Sequence, residues 1–387
     1  MRDSLRVAIA GGGIGGLTAA VALRNAGASP TVFERASDIR HVQLGGSIHI
    51  WPNGYRALAA AGLADAVRES VDDGAVMRRQ YFLTASGRTF IDWDLSESAL
   101  GLPTLAVVRG EFHSVLAESA GDMIRLGAGV EGFDADDDGV SVALADGREE
   151  RFDVLIGADG LRSTVRRGVV GSSEPVFTDY TTWLSVIPLR HPLLENTLRV
   201  YFGRGGRFTV WPVSRGRVYW EAIYSAEAGG VDGAGGRQAD VLERFGDWAE
   251  PVPEAIRATP DEAIARADSY THPVLERWGF GRVTMIGDAA HAMTNAAGQG
   301  ANQALEDAAV LARCLDRNDD PSAGLREYES IRHKRATTYV KRSKMIARAA
   351  TVHNPVMGAV RTGMMAVALR VLFGQFKKDL SYDAGAM

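Results

Sequence analysis

Val7-Ala8-Ile9-Ala10-Gly11-Gly12-Gly13-Ile14-Gly15-Gly16 is an apolar run that turns at once through clustered glycines. The spacing predicts a buried strand, a tight turn and a helix over roughly 17–26. Glycine lets the backbone turn sharply and lets a pyrophosphate approach it, while the following helix offers free N–H groups and the positive end of its dipole. Gly11, Gly13, Ile14 and Gly16 are therefore expected to line a dinucleotide. Thr31-Val32-Phe33-Glu34-Arg35 reads as the second strand, and Glu34 stands at the distance where an acid holds a ribose diol. A carboxylate there favours an unphosphorylated adenosine ribose. Strand, turn, helix and strand form half of a doubly wound α/β sheet.

The remaining composition narrows the function. At 387 residues and 46% hydrophobic content, the chain can bury a large core and is expected to divide into two domains around a cleft. A net charge of -5 with dispersed Lys and Arg gives no footprint for nucleic acid. Cys314 is the only cysteine, which excludes a disulfide framework and a Cys-based zinc cluster within one chain, and no metal site is read. Redox chemistry must then come from a bound cofactor. The N-terminus lacks the regions of a secretory signal, so the cytoplasm is the expected location. Between Val356 and Phe376, Arg361 and Arg370 interrupt a Met-, Val-, Ala- and Leu-rich stretch. It is expected to pack as a helix against the body or a dimer partner, without stable membrane association, in a monomer or homodimer.

Leu44-Gly45-Gly46-Ser47-Ile48-His49-Ile50-Trp51-Pro52-Asn53 alternates like a strand closed by proline, with Ser47 and His49 on one face. Short alternating strands are expected over about 72–102 and, richer in aromatic and β-branched residues, over 180–225. Asp240 to Trp248 reads as a helix returning the chain. The expected division is discontinuous: 1–71, 103–175 and 271–330 in a nucleotide domain, 72–102 and 176–270 in a β-sheet domain, and 331–387 in a helical region.

Two further motifs place an acid beside glycine at a strand end. The first is Phe152-Asp153-Val154-Leu155-Ile156-Gly157-Ala158-Asp159-Gly160, followed by Leu161-Arg162-Ser163-Thr164-Val165-Arg166-Arg167. The second is Arg282-Val283-Thr284-Met285-Ile286-Gly287-Asp288-Ala289-Ala290-His291, then Gly298-Gln299-Gly300-Ala301-Asn302 opening a long helix. With the glycine turn, and with Arg109 after a strand between the first two, these motifs closely resemble the single-component flavoprotein monooxygenases of the para-hydroxybenzoate hydroxylase or aromatic hydroxylase class. The resemblance spans most of the chain. It implies an α/β (α+β) fold with a Rossmann-like FAD-binding domain, a β-sheet substrate domain and a C-terminal helical segment.

The resemblance also implies that Glu34 binds the adenosine ribose of FAD, that Arg109 lies near the pyrophosphate or ribityl chain, and that Asp288 bonds the same region. Arg35 either flanks adenine or is a solvated surface residue. Gly298, Gly300, Ala301 and Asn302 are expected beside the flavin, because a helix N-terminus opposes the negative charge of its reduced ring. Asp159 and Arg162 match a motif that borders the pyrophosphate and is linked to NAD(P)H use; alternatively Arg162, Arg166 and Arg167 form a solvated helix face. NADH or NADPH would dock transiently, reduce the flavin and leave. O2 would then form a C4a-hydroperoxide that oxygenates a small aromatic or polycyclic substrate.

For that substrate, Phe208, Trp211 and Tyr219 are candidate contacts, and alternation allows only some of the sheet aromatics to face the cleft. Arg207 would bind a carboxylate or phenolate, or lie solvated on a hairpin. His49 is the candidate general base or polar contact, since imidazole can deprotonate a phenol near neutral pH. Asn295 stands where the family usually has proline. It is expected to add conformational freedom and an amide near the oxygen-transfer centre. An oxidase or dehydrogenase on the same fold, or a non-catalytic flavin binder, remains open from the residues alone.

Overall fold

The structure is a computed structural model and describes residues 5–42 and 46–386; Leu44 and Gly45 of the alternating stretch, and the first four residues, lie outside them. The apolar run becomes strand Arg6–Ala10, and the glycines turn it into helix Ile14–Asn25. Five parallel strands stand in the order Val283–Met285, Val154–Gly157, Arg6–Ala10, Ser29–Glu34, Ile124–Leu126. Both faces of this sheet are covered, which is why Val7–Ala10 and Val154–Gly157 at its centre are continuous buried apolar runs. Each of the three motifs therefore leaves a carboxyl end of a neighbouring strand, where such sheets bind ligands.

The second large sheet has seven strands, in the order Ala265–Thr271, Val176–Pro188, Arg217–Ser225, Gly206–Val213, Thr197–Phe202, Arg79–Thr84, Thr89–Asp94. Its alternation sorts side chains between two cores. One face sends Tyr201, Phe208 and Trp220 into a cluster with Phe245 of helix Gly236–Phe245 and Ile256 of helix Val252–Arg257. The other sends Trp211, Tyr219 and Val200 towards Trp51 and the C-terminal helix Pro355–Leu380. A small antiparallel sheet, containing strands Ser47–Ile50 and Thr104–Val108, lies against this second face.

Helix Gly300–Arg317 packs against Ile14–Asn25 and against helix Pro321–Ala350. Glu306 and Asp307 interrupt its apolar run and are fully buried. Their charge is matched by Arg332 and Arg335 of the following helix: Arg332 pairs with both acids, and Arg335 with Glu306. Cys314 is buried on the same helix, as expected for a structural thiol.

Removing one member of a buried ion cluster leaves its partners uncompensated, whereas an exposed pair is screened by water. Arg332→Met is expected to lower the unfolding free energy by about 3–5 kcal/mol. Asp92→Asn, which breaks the exposed pair with Arg79, is expected to cost less than about 1 kcal/mol. Urea unfolding followed by tryptophan fluorescence measures both; equal losses would contradict the assignment.

Candidate active site

The glycine turn is built for close approach. Gly11 has φ +102°, and a side chain there would meet the Ala158 carbonyl oxygen at 2.5 Å. At Gly16 it would meet the Gly11 oxygen at 2.1 Å, while nothing lies within 4 Å of the Cβ position of Gly13. The turn is thus closed towards the protein and open above Gly13 and Ile14, where the helix begins without a side-chain cap. The Glu34 carboxylate accepts from the Gly12 and Ala36 N–H groups, each at 2.8 Å. Both oxygens are fixed, and each keeps a free lone pair for a hydroxyl donor. His113, absent from the sequence reading, donates from Nε2 to the Gly12 carbonyl at 2.7 Å. It stands one turn after Arg109 on helix Arg109–Ala120, and that spacing is the signal that could have found it.

Arg35, Arg109 and Asp288 are exposed and make no side-chain bond among the described residues, so each is available to a ligand. Asp159 is placed differently. Its carboxylate accepts from the Ser163 hydroxyl and from the N–H groups of Thr164 at 2.7 Å and Val165 at 3.2 Å. It caps helix Thr164–Val170, and burial pushes its carboxyl above the usual range. Only its backbone borders Gly11. The three arginines also divide. Arg162 and Arg167 are exposed, but Arg166 is buried and donates to the carbonyls of Ala289 at 3.0 Å and Pro273 at 3.2 Å. The solvated-face reading is therefore corrected for Arg166, which ties its helix to the second acid-glycine motif.

That second motif closes on the buried ion cluster. Asp307 accepts from the Gly287 N–H at 2.9 Å and lies 2.6 Å from His291 Nε2. Burial alone would raise the Asp307 carboxyl, but His291 and Arg332 outweigh it and hold it at about 2. Further along, Gly298 (φ +60°) ends the short turn Asn295–Ala297. Its carbonyl accepts from Trp51 Nε1 at 3.1 Å. Asn302 accepts from the Trp51 N–H at 2.9 Å and donates to the His49 carbonyl at 2.9 Å. The Asn302 side chain thus clamps strand Ser47–Ile50 to the loop, and only its backbone remains for a cofactor. Gln299 supplies no side-chain cap, so the first N–H groups of the helix, at Gly300 and Ala301, are free to face an anion.

Above this loop the seven-stranded sheet presents Arg207, Thr209 and Trp211 on one face, opposite Tyr219 and Glu221 of the next strand. Phe208 points the other way and packs on Trp220 and Phe245, so it is withdrawn as a substrate contact. Arg207 is not a solvated hairpin residue either. It is buried, pairs with Glu221, and donates to the Ala296 carbonyl at 3.0 Å. Asn295 donates to Glu221 at 3.1 Å and accepts from the Tyr180 hydroxyl at 2.8 Å. Its side chain is consumed in anchoring, which corrects the expectation of added freedom. Tyr180 and Glu221 escaped the sequence reading because strand pairing, invisible in one chain, brings them to the loop.

His49 packs its ring on Trp211, with centroids 4.2 Å apart, and Trp211 donates to Ser47 at 3.0 Å. Ser47 and His49 therefore share a face, as alternation predicts. Burial drives the His49 pKa down to about 3, and its Nε2 has no partner. The ring stays neutral near pH 7 and is too weak a base to match a phenol, so the general-base role is corrected to that of a buried wall residue packed on Trp211.

The His49 shift makes a prediction for stability. Its ordinary value of 6.5 falls to about 3 in the fold, so between these values only the unfolded chain takes up the proton. Stability from this site is full above the higher value and is lost as pH falls through the interval. His49→Gln is expected to abolish about 2 kcal/mol of the loss between about pH 7 and about pH 5. Parallel urea titrations of both proteins at the two pH values measure it, and an unchanged difference would refute the assignment.

Comparisons with known proteins identify the family. The family model described as FAD binding domain matches residues 4–343. The chain is 38% identical over 371 residues to the aurachin C monooxygenase/isomerase of Stigmatella aurantiaca, with 94% of each covered. It is 36% identical to the chloroplastic zeaxanthin epoxidase of Oryza sativa subsp. japonica, matching 91% of this chain but 56% of that protein. The crystal structure of Klebsiella pneumoniae HpxO complexed with FAD and uric acid superposes with a TM-score of 0.90 at 28% identity, over 98% of this chain and 97% of that one. The chain belongs to the FAD binding domain family and is an FAD-dependent monooxygenase of the aromatic hydroxylase and epoxidase kind.

Proposed function

We propose that the enzyme takes a hydride from NADH or NADPH and uses O2 to hydroxylate or epoxidise an apolar, planar aromatic or polycyclic small molecule. One oxygen atom enters the substrate and the other leaves as water, with the nicotinamide oxidised and one proton consumed. The observation that carries this reading is the aromatic wall of His49, Trp211 and Tyr219 beside the buried Arg207–Glu221 pair, facing the loop that starts at Asn295. Bound FAD supplies the redox chemistry and the activation of O2. In this reading Glu34 holds the adenosine ribose, Arg109 and Asp288 hold the phosphate and ribityl region, and Gly298 to Asn302 set a helix N-terminus against negative charge on the ring.

The protein's own part is positioning and exclusion of water. Trp211 packs between His49 and Tyr219, with ring centroids 4.2 Å and 4.4 Å away, and the three buried rings make this wall apolar. Three buried polar atoms at this wall, His49 Nε2, Thr209 Oγ1 and Arg207 Nε, have no protein partner. Such groups are unusual unless a ligand or water satisfies them, and they suit a hydroxyl or carbonyl on the substrate. Burial and Glu221 push the Tyr219 hydroxyl well above its usual range. It therefore stays protonated and donates to Glu221 at 3.2 Å. We further infer a flavin part (1–71, 103–175, 271–330) and a substrate part (72–102, 176–270), with His49 of the wall drawn from the first and Trp211 and Tyr219 from the second.

Turnover under 18O2 with NADH or NADPH and a panel of phenols and fused aromatics tests the proposal. One labelled oxygen per product and one nicotinamide per turnover are expected. Peroxide formed in step with nicotinamide oxidation across the whole panel, without labelled product, would sink it. Arg207→Met strips Glu221 of its buried partner and its anchor to Ala296. It is expected to lower kcat/KM by on the order of 10–100-fold while FAD stays bound.

A further inference from the structure

Helix Pro355–Leu380 is apolar on both sides. Its inner side packs Met365, Leu369, Phe373 and Phe376 against the sheet, with Phe376 edge-on to Trp51 at 5.4 Å. Its outer side repeats Val356, Val360, Met364, Val367 and Val371 at helical spacing, and these are 49% to 76% exposed. A helix that is hydrophobic all round is normally covered on every side, so the outer stripe needs a partner outside the chain's own fold. No single helix among the described residues is long and apolar enough to cross a membrane; Val356–Val371 and Phe373–Leu380 reach that composition only together, across a 55° bend. The stripe is therefore suited to lie in an interface.

Charge selects the partner. Residues 331–378 carry eleven Lys and Arg and no Asp or Glu. Arg332 and Arg335 are matched by Glu306 and Asp307 and Arg342 by Asp379, which leaves eight cations without an acidic partner in an ion pair among the described residues, exposed Lys341, Lys344, Arg348 and Arg370 among them. On the preceding helix the exposed Met345 is flanked by exposed Lys341, Lys344 and Arg348. Two copies of such an acid-free region would repel one another face to face. A sheet of anionic headgroups over acyl chains matches both its charge and its apolar stripe. We propose that the C-terminal helix docks the enzyme peripherally on anionic lipid bilayers, in place of the composition-based expectation of no stable membrane association.

Flotation of the full-length FAD-loaded enzyme with phosphatidylcholine vesicles, with and without phosphatidylglycerol, tests this. Partition onto the anionic vesicles is expected to be at least about tenfold stronger and to weaken as salt rises. Met364→Asp combined with Val367→Asp is expected to abolish it, with thermal unfolding and flavin absorption unchanged because both side chains face outward. Lys341→Glu with Lys344→Glu is expected to remove the preference for anionic vesicles. No binding to either vesicle, equal binding to both, or binding that survives the stripe variant would overturn the proposal. So would a stable dimer in sedimentation that the stripe variant dissociates, since the second copy would then be the occupant.

Discussion

The Asp307 carboxylate is the fixed point of the candidate cofactor site. It lies inside a helix, fully buried, and holds the N–H of Gly287, the imidazole of His291 and the guanidinium of Arg332 together. Glu306 beside it accepts from Asn53 at 2.7 Å, which brings in the helix that follows Trp51. The two adjacent acids thus determine where three separate chain segments stop. A buried cluster of this kind contributes little net stability over an apolar substitute, but losing one member is costly. Here its value is positional: it sets the loop bearing Asp288 and the helix start at Gly300 in one fixed relation.

The proposed substrate wall is attached to that frame through the short turn at Asn295. Arg207 and Glu221 come from neighbouring strands of the large sheet and are both buried, which is tolerable because their charges pair, although Arg207 Nε has no partner. Arg207 also donates to Ala296, and Glu221 accepts from Asn295. A pair that would be a plain structural ion bridge within the sheet therefore couples the sheet to the loop. Rigidity is gained where reacting atoms must be held to within fractions of an ångström.

The parts legible in the sequence are those written in local spacing. The strand–glycine–helix opening, Glu34 at the end of the second strand, and the two acid-glycine motifs all depend on neighbours within about twenty residues. Their backbone consequences, such as the positive φ of Gly11 and Gly298, are direct. What the sequence hides is pairing across distance. Arg207, read as either a ligand for an anion or a solvated residue, is buried against Glu221, fourteen residues away across a hairpin. Phe208 leaves the wall because one step along a strand reverses the face. Arg166 looked like its exposed neighbours until a carbonyl-lined site, built from the motif near Ala289, enclosed it. His49 was placed on the correct face by alternation, but the burial that sets its pKa comes from Trp211, which lies on another sheet.

Asn295 shows how one departure from a family pattern can change which parts of a site move together. Proline restricts a loop from within, through its own ring, whatever surrounds it. Asparagine imposes no such restriction, and here the restraint comes from outside, through the Tyr180 hydroxyl and the Glu221 carboxylate. The loop is then as fixed as the sheet to which it is bonded. Because the same sheet carries Trp211 and Tyr219, a ligand that displaces the aromatic wall acts on the loop through Glu221, which also accepts from Tyr219. With proline the loop would be restrained by its own ring; with asparagine its restraint comes through Tyr180 and Glu221 from the sheet that carries Trp211 and Tyr219.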